Sequence, residues 1–303
     1  MNEASRELRK WLANSPRVLD GATGTALEHR GVNSSTPLWA SQALLDCPDT
    51  VRAVHREYVD AGAEILVANT FRTTVDALRR VGIETRGGEL NRLAVRLARE
   101  AAEHANHRVV IAASVAPVRD CYKPEPTPDD ATLRDEHARM IDWLVAAGAE
   151  IAWIETFSTL REARIAAAAA ATAGLPFVCS FLTREDGQLL SGDSLAAAVL
   201  AVAEFEPLAV GLNCIPPRGV SDQLGPLVSA TKLPAVVYAH IGNSKPTPGW
   251  TFAEAATPEA YGALAESWLA EGARVIGGCC GTDARHIRAV AAVMRNAAKP
   301  AIA

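Results

Sequence analysis

Short apolar runs recur along the whole chain, separated by longer stretches in which apolar and polar positions are mixed. Each run is four to seven residues long and is apolar almost throughout, with little alternation of polar residues. Continuous runs of this length predict strands that are buried on both faces, as in parallel sheets. The eight predicted strands are 17–20, 64–69, 109–113, 151–155, 176–181, 208–214, 235–238 and 275–279.

The stretches between these runs predict helices, among them 132–147, 160–173, 194–204 and 258–270. A glycine, the usual residue at a helix end, precedes several of the strands, as at Gly62 and Gly148. Strand and helix alternate eight times, which predicts an α/β fold and a (β/α)8 TIM barrel. A doubly wound open sheet is the alternative. No linker rich in Pro, Gly or Ser divides the chain, so one domain over 1–303 is expected.

Composition narrows the class of protein. Hydrophobic residues make up 49% of the 303 residues and charged residues 21%, which is ordinary for a globular protein. The net charge of −5 and the lack of a Lys/Arg stripe argue against nucleic acid or an anionic membrane as a partner. No apolar run is long enough for a transmembrane helix, and the polar N-terminus argues against a signal peptide. Six scattered cysteines fit a reducing cytoplasm better than a disulfide framework.

Three cysteines stand at the ends of predicted strands. Cys214 ends the sixth strand, and Cys279 and Cys280 end the eighth, inside a Gly-Gly-Cys-Cys-Gly sequence. Strand ends of this kind form the active face of a barrel. Adjacent cysteines on a regular strand would point to opposite faces, and we expect the glycines to let the backbone turn both toward one point. A zinc ion with three thiolates and an open fourth position is the natural occupant, and the sulfurs should lie within about 4 Å of one another.

Not every cysteine points to a metal. For Cys47, Cys121 and Cys179 we expect ordinary packing in the core, since isolated cysteines behave as small hydrophobic residues. A redox disulfide between Cys279 and Cys280 is the rival to zinc, but it leaves Cys214 unexplained.

Two acidic residues also end predicted strands: Asp20 ends the first strand and Glu155 the fourth. Beside a metal they suggest an anionic site for an ammonium group. We expect both to face the cavity of the thiols, with no lysine or arginine neutralising both. The alternative is that they are solvated loop carboxylates.

Zinc with three thiolates carries a net charge of about −1, which makes it a poor Lewis acid toward water. It binds a soft fourth ligand well, and a substrate thiol held there stays a nucleophilic thiolate near neutral pH. The predicted chemistry is therefore alkylation of an amino-acid thiol, with no protein general base. The soft ligand set argues against a hydrolytic metalloenzyme.

The order of motifs resembles the zinc-dependent homocysteine S-methyltransferases, a family that includes betaine–homocysteine methyltransferase and the homocysteine-binding module of cobalamin-dependent methionine synthase. The resemblance spans nearly the whole chain and is carried by the motifs at 20–25, 69–71, 154–156, 211–214 and 277–282. It implies that Cys214, Cys279 and Cys280 bind zinc. It also implies that Asp20 and Glu155 hold the amino group of homocysteine.

Segments 31–33, 37–39 and 191–194 are most similar to single-domain members that use S-methylmethionine or S-adenosylmethionine. Those enzymes typically carry Pro-Asn-Ser-Gly-Glu after the seventh strand, whereas this chain differs at 238–243. We expect a sulfonium donor, S-methylmethionine ahead of S-adenosylmethionine. Two segments should bind it: 241–250 and the proline-rich 116–130, which follows the third strand and should overhang the active face.

The sequence therefore predicts a cytoplasmic zinc enzyme that methylates homocysteine to methionine and has small molecules as its partners. One alternative acceptor is another thiol or a selenol, such as selenocysteine. A different alternative is a zinc or redox protein without turnover, in which Cys279 and Cys280 act as a switch.

Overall fold

The computed structural model describes residues 3–125, 127–241 and 257–297. Eight strands alternate with helices through these ranges. The strands are β1 (Arg17–Val18), β2 (Ile65–Ala68), β3 (Val110–Val115), β4 (Ile151–Phe157), β5 (Phe177–Phe181), β6 (Ala209–Asn213), β7 (Ala235–Ala239) and β8 (Ala273–Gly278). The helices are α1 (Glu3–Asn14), α2 (Thr23–Glu28), α3 (Ala43–Asp46), α4 (Pro48–Ala61), α5 (Val75–Arg79), α6 (Gly87–Ala102), α7 (Asp130–Ala147), α8 (Leu160–Thr172), α9 (Leu195–Ala203), α10 (Pro217–Ala230), α11 (Pro258–Ala270) and α12 (Ala284–Ala297), with 3-10 turns at Trp39–Gln42 and Glu84–Arg86.

The eight strands form one parallel sheet in the order β1-β8-β7-β6-β5-β4-β3-β2. The two end strands, β1 and β2, meet through a parallel bridge between Leu19 and Ile65. There the amide of Asp20 donates to the carbonyl of Ile65 at 3.0 Å. The sheet is therefore a nearly closed barrel, which confirms the predicted (β/α)8 fold in a single domain and excludes the doubly wound sheet.

Each predicted strand coincides with an observed one, with ends that differ by a few residues. The helices expected at 132–147, 160–173, 194–204 and 258–270 are α7, α8, α9 and α11. Capping residues and glycines mark the ends of the helices. The Ser194 side chain caps α9 by accepting a hydrogen bond from the Ala197 amide, and Gly62 ends α4 in the left-handed conformation at φ 104°.

The core has two parts, separated by the barrel wall. Alternate side chains of the strands point inward, and Ile151 and Trp153 of β4 are typical members of this inner cluster. Leu8 and Leu12 of α1 join the inner cluster from outside, so α1 covers one end of the barrel. The outer cluster packs the strands against the surrounding helices and includes the buried Cys179, as expected for a core cysteine.

None of the described helices is long and apolar enough to cross a lipid bilayer.

Strands β6 and β7 approach each other closely at Gly211, which lies opposite Val236. A Cβ atom at position 211 would lie 2.1 Å from the carbonyl oxygen of Val236. Backbone of a neighbouring strand cannot move aside as a flexible side chain can. The close approach therefore depends on glycine at this position.

We expect Gly211→Ala to lower the free energy of unfolding by about 2 kcal/mol or more, because overpacking a well-packed core costs about 1–3 kcal/mol. Urea unfolding followed by circular dichroism measures the change. Gly88→Ala, within α6, is the matched control, since its new Cβ would lie at an ordinary 3.4 Å from the Trp143 ring of α7. A Gly211→Ala midpoint equal to that of the unsubstituted protein would contradict this account of the β6–β7 packing.

Candidate active site

A cavity of about 750 Å³ opens at the carboxyl ends of the strands. Its wall is built from the segments that follow β1, β2 and β3 and from the ends of β4, β6, β7 and β8. The five residues selected from the sequence all line it: Asp20, Glu155, Cys214, Cys279 and Cys280. The structure thus brings together at one cavity residues that lie up to 260 positions apart in the chain.

The three thiols form a compact cluster. The Sγ atoms of Cys214, Cys279 and Cys280 all lie within 4.8 Å of one another, and those of Cys214 and Cys280 are 3.8 Å apart. A tetrahedral zinc site with Zn–S bonds of about 2.3 Å has S–S edges of about 3.8 Å. The spacing expected from the sequence, about 4 Å, is therefore met by the Cys214–Cys280 pair. The whole cluster is slightly wider, and it has the dimensions of a three-thiolate metal site.

Strand β7 holds the two cysteine-bearing segments in place. Its carbonyl groups accept hydrogen bonds from the amides on either side, Tyr238 from Cys214 at 3.2 Å and Ala239 from Cys279 at 2.9 Å. Cys214 itself adopts a left-handed backbone conformation, φ 56°, which is uncommon for a residue other than glycine. Such a conformation persists only where the surroundings enforce it, and here it turns the thiol toward the β8 cysteines.

Two of the three glycines around Cys279 and Cys280 have a different role from the one expected, and the third, Gly281, supplies the expected backbone freedom. Gly277 and Gly278 have no positive φ, so the expectation that they supply backbone freedom is wrong. Glycine is required at positions 277 and 278 because neighbouring atoms leave no room for a side chain. A Cβ at Gly277 would lie 2.6 Å from that of Leu19, and one at Gly278 would lie 2.2 Å from Thr282 Oγ1. Gly281, at φ 86°, is the residue that makes the left-handed turn.

The two carboxyl groups are buried and held by hydrogen bonds. Asp20 is 3% exposed, and its Oδ2 accepts from the amide of Val67 at 2.8 Å. Glu155 accepts from the hydroxyl groups of Ser114 at 2.5 Å and Tyr238 at 3.1 Å. Among residues 3–125, 127–241 and 257–297, no lysine or arginine forms an ion pair with either carboxyl group.

This environment is unfavourable for negative charge. Burial raises the pKa of Asp20 well above its usual range, and the nearby Glu155 raises it further. Burial also raises the pKa of Glu155 to about 7, although the hydrogen bonds from Ser114 and Tyr238 lower it. Hydrogen bonds with Cys214 and Cys280, together with burial, raise the pKa of the Cys279 thiol. A cation placed among these groups would stabilise their ionised forms and so offset the cost of burial and of their mutual repulsion. Raised pKa values of this kind in a cavity are typical of a functional site.

The ends of β4 and β6 are joined by a pair of hydrogen bonds. The Asn213 side chain accepts from the Thr156 amide at 2.9 Å and donates to the Thr156 hydroxyl at 2.8 Å. Thr156 follows Glu155 in the chain, and Asn213 precedes Cys214. The carboxyl group and the thiol are therefore fixed relative to each other through neighbouring residues.

Sequence reasoning missed several residues of the cavity. Tyr238, at the end of β7, donates a hydrogen bond to Glu155. Its position at a predicted strand end could have identified it as a cavity residue. Ser114 near the end of β3 gave the same signal. Tyr122, in contrast, lies in an irregular connection, yet its hydroxyl oxygen is 3.2 Å from Cys214 Sγ. Cys121, expected in the core, is buried but lines the cavity.

Of the two segments expected to bind the donor, the structure describes most of the first (116–130) and only one residue of the second (241–250). In the irregular segment after β3, residues 118–122 line the cavity, so this segment does reach the candidate active site. Residue 126 of the same segment lies outside the described residues. Of the segment 241–250, Ile241 is buried, and 242–250 lie outside the described residues.

Known proteins share both the sequence pattern and the architecture. The sequence model of the homocysteine S-methyltransferase family matches residues 17–294. The metallated form of the homocysteine methyltransferase MmuM from Escherichia coli superposes with a TM-score of 0.82 at 28% identity, over 94% of this chain and 99% of that one. Homocysteine S-methyltransferase YbgG of Bacillus subtilis is 29% identical over 92% of this chain and 94% of its own length. A selenocysteine methyltransferase of Astragalus bisulcatus is 27% identical over 95% of both chains. The chain belongs to the homocysteine S-methyltransferase family.

Proposed function

We propose that this protein transfers a methyl group from a sulfonium donor to the thiol of homocysteine, giving methionine. The observation that carries the proposal is the convergence of three sulfurs within 4.8 Å in a cavity that is also lined by Asp20 and Glu155, neither of which is ion-paired with a lysine or arginine among the described residues. We further propose that residues 1–303 act as one homocysteine-binding barrel. A reducing cytoplasm suits it, since the six cysteines are free thiols.

Cys214, Cys279 and Cys280 are the residues that would hold a metal ion, and zinc is the ion we propose. The sulfur spacing fits a tetrahedral site, and soft thiolate ligands favour zinc over magnesium or calcium. When bound there, zinc supplies an open coordination position at which the substrate sulfur is kept as a thiolate. The relative MmuM, described in a metallated form, supports a metal in this family.

Asp20 and Glu155 would bind the amino group of homocysteine. Both carboxyl groups are buried, and no lysine or arginine among the described residues pairs with them. A substrate ammonium group would be such a cationic partner. Both groups are already oriented by hydrogen bonds from Val67, Ser114 and Tyr238. Binding therefore needs little reorganisation of the site, which lowers the entropic cost of recognition.

A sulfonium is the donor we propose, with S-methylmethionine ahead of S-adenosylmethionine. The acceptor sulfur attacks the methyl carbon, a new C–S bond forms, and the electron pair of the old C–S bond leaves with a neutral thioether. The donor's positive charge disappears in this step, so a partly apolar cavity favours the transition state over the ground state. The leaving thioether needs no general acid.

Selenocysteine is a second candidate acceptor, because relatives of closely similar length carry that activity in their names. A selenol is softer than a thiol and suits a three-thiolate metal site equally well. Its chain is one methylene shorter than that of homocysteine. The two acceptors therefore differ in how far the reacting atom reaches from the ammonium group.

We expect purified protein to contain about one zinc per chain, as in other single-metal catalytic sites. A Cys214→Ser, Cys280→Ser double variant should lose it, because only one thiolate remains in the cluster. Elemental analysis measures the content. A Cys47→Ser, Cys179→Ala double variant also removes two thiols, both outside the cavity lining, and should keep its metal. Full zinc retention in the first variant would refute the ligand assignment.

Glu155→Gln should raise the KM for homocysteine about tenfold or more, since a hydrogen bond to a charged group contributes about 1.5–3 kcal/mol. Its zinc content should stay unchanged. Because the pKa of Glu155 is raised to about 7, the binding carboxylate is lost as the pH falls through that value. Wild-type kcat/KM for homocysteine should therefore fall toward low pH through this group, and the variant should lose that part of the profile.

Steady-state kinetics between about pH 6 and pH 8, which bracket the Glu155 pKa, measure both effects. Glu64→Gln is the control, because Glu64 precedes β2 at the opposite end of the barrel, where it pairs with Arg17 at 2.8 Å. Unchanged KM and an unchanged pH profile in Glu155→Gln would show that this carboxyl group has a structural role alone.

With homocysteine as acceptor, turnover should be fastest with S-methylmethionine, slower with S-adenosylmethionine and absent with betaine. This expectation rests on the resemblance of segments 31–33, 37–39 and 191–194 to members of the family that use a sulfonium donor. A screen of the three donors by methionine formation tests this order, with selenocysteine run in parallel as acceptor. Efficient turnover with betaine and none with either sulfonium would overturn the donor assignment.

A further inference from the structure

The hydroxyl group of Tyr122 contacts one of the three clustered thiols. Its oxygen lies 3.2 Å from Cys214 Sγ, a hydrogen-bonding distance for sulfur, although the two residues are 92 positions apart. Tyr122 belongs to the connection between β3 and α7, whereas Cys214 follows β6. The contact therefore joins opposite parts of the cavity wall, and it is not a by-product of local chain geometry.

The part of this connection that precedes Tyr122 is held by hydrogen bonds to its backbone. Arg72 donates hydrogen bonds to two of its carbonyl groups, those of Pro117 at 3.3 Å and Arg119 at 2.8 Å. The amide of Val118 donates to the buried carboxyl group of Glu162 at 2.8 Å. These bonds come from the β2 and β4 sides of the barrel, so the backbone a few residues before Tyr122 is held from both flanks.

The direction of the contact follows from the chemistry of a metal ligand. A cysteine that binds a metal does so as a thiolate, which has no proton to donate. Tyr122 must then be the donor, and a hydrogen bond from a hydroxyl group to a thiolate is charge-assisted. Such a bond draws electron density away from Cys214 Sγ. Hydrogen bonds to ligand atoms fix their orientation and adjust the electronic properties of the metal site.

A site with several thiolates has to favour one sulfur as the nucleophile. Three protein sulfurs and the substrate sulfur would all lie within reach of an alkylating donor. A protein sulfur that accepts a hydrogen bond is less electron-rich than one that does not. Cys214 is also the ligand whose backbone is held in the left-handed conformation, so its sulfur has a defined position relative to the Tyr122 hydroxyl.

We propose that Tyr122 is a positioning residue that donates a hydrogen bond to the Cys214 thiolate, stabilising it as a metal ligand and reducing its nucleophilicity relative to the substrate sulfur. This inference rests on the proposed metal site. It adds to that site a residue outside the three cysteines, carried by the irregular segment after β3.

The test is Tyr122→Phe in protein reconstituted with cobalt(II), which occupies thiolate sites of this type and reports on them through its sulfur-to-metal charge-transfer absorption. Loss of the hydrogen bond makes Cys214 Sγ more electron-rich, so the absorption should move to longer wavelength. In the zinc-loaded protein, affinity for the metal should fall about tenfold, as is usual when a residue that supports a ligand is replaced. Competition with a chromogenic chelator measures that affinity.

Tyr58→Phe is the matched control. It also removes a buried tyrosine hydroxyl near the cavity, but that hydroxyl donates to the carbonyl of Ala22 at 3.0 Å and not to a sulfur. Its cobalt absorption should match that of the unsubstituted protein. A clear absorption band that is unshifted in Tyr122→Phe, with unchanged zinc affinity, would overturn this inference and leave the metal site intact. No charge-transfer band in any form would refute the metal site and the inference together.

Discussion

The candidate active site depends on the spacing that β7 imposes between its two neighbours. Parallel strands lie about 4.8 Å apart, so β6 and β8 are separated by about twice that distance, which is too far for their thiols to meet directly. The carbonyl groups of Tyr238 and Ala239 hold the chain on both sides where the strands end. Beyond that point the left-handed turns at Cys214 and Gly281 bring the two segments together. The metal-sized cluster is therefore a product of the sheet and of the turns that leave it.

The same region concentrates groups that are costly to ionise. Asp20, Glu155 and three thiols share one cavity, and burial opposes negative charge on the two carboxyl groups and on the thiols of Cys214 and Cys279. In a protein that only had to be stable, such groups would be paired or replaced by apolar ones. Under the proposed function, bound cations would balance these negative charges: a metal ion at the thiols and a substrate ammonium group at the carboxylates. The free protein thus carries an electrostatic cost that its ligands remove.

The fold was largely predictable because each of its signals is local. A continuous apolar run marks a buried strand, and a glycine after a periodic stretch marks a helix end, as at Gly62. The residues of the candidate active site were predictable for a related reason. In a barrel, the end of a strand is also the wall of the cavity, so Cys214 and Glu155 could be placed from their position alone.

What could not be predicted depends on contacts between distant parts of the chain. The tight space around Gly277 and Gly278 is set by Leu19 and Thr282, and the sequence around the cysteines suggested conformational freedom instead. Tyr122 follows no periodic pattern, and its contact with Cys214 exists because the barrel closes. The raised pKa of Glu155 is likewise a property of burial, which no single motif encodes.

The Asn213–Thr156 hydrogen bonds have a consequence for substrate choice. They fix the strand ends that carry Glu155 and Cys214, and so they fix the distance between the group that would bind an ammonium and the cluster that would bind a sulfur. An amino-acid thiol has to span that distance with its own carbon chain. Discrimination by one methylene is worth about 1–3 kcal/mol in a preformed site. Under the proposed function, the Asn213–Thr156 pair would therefore set the length of acceptor that the site takes.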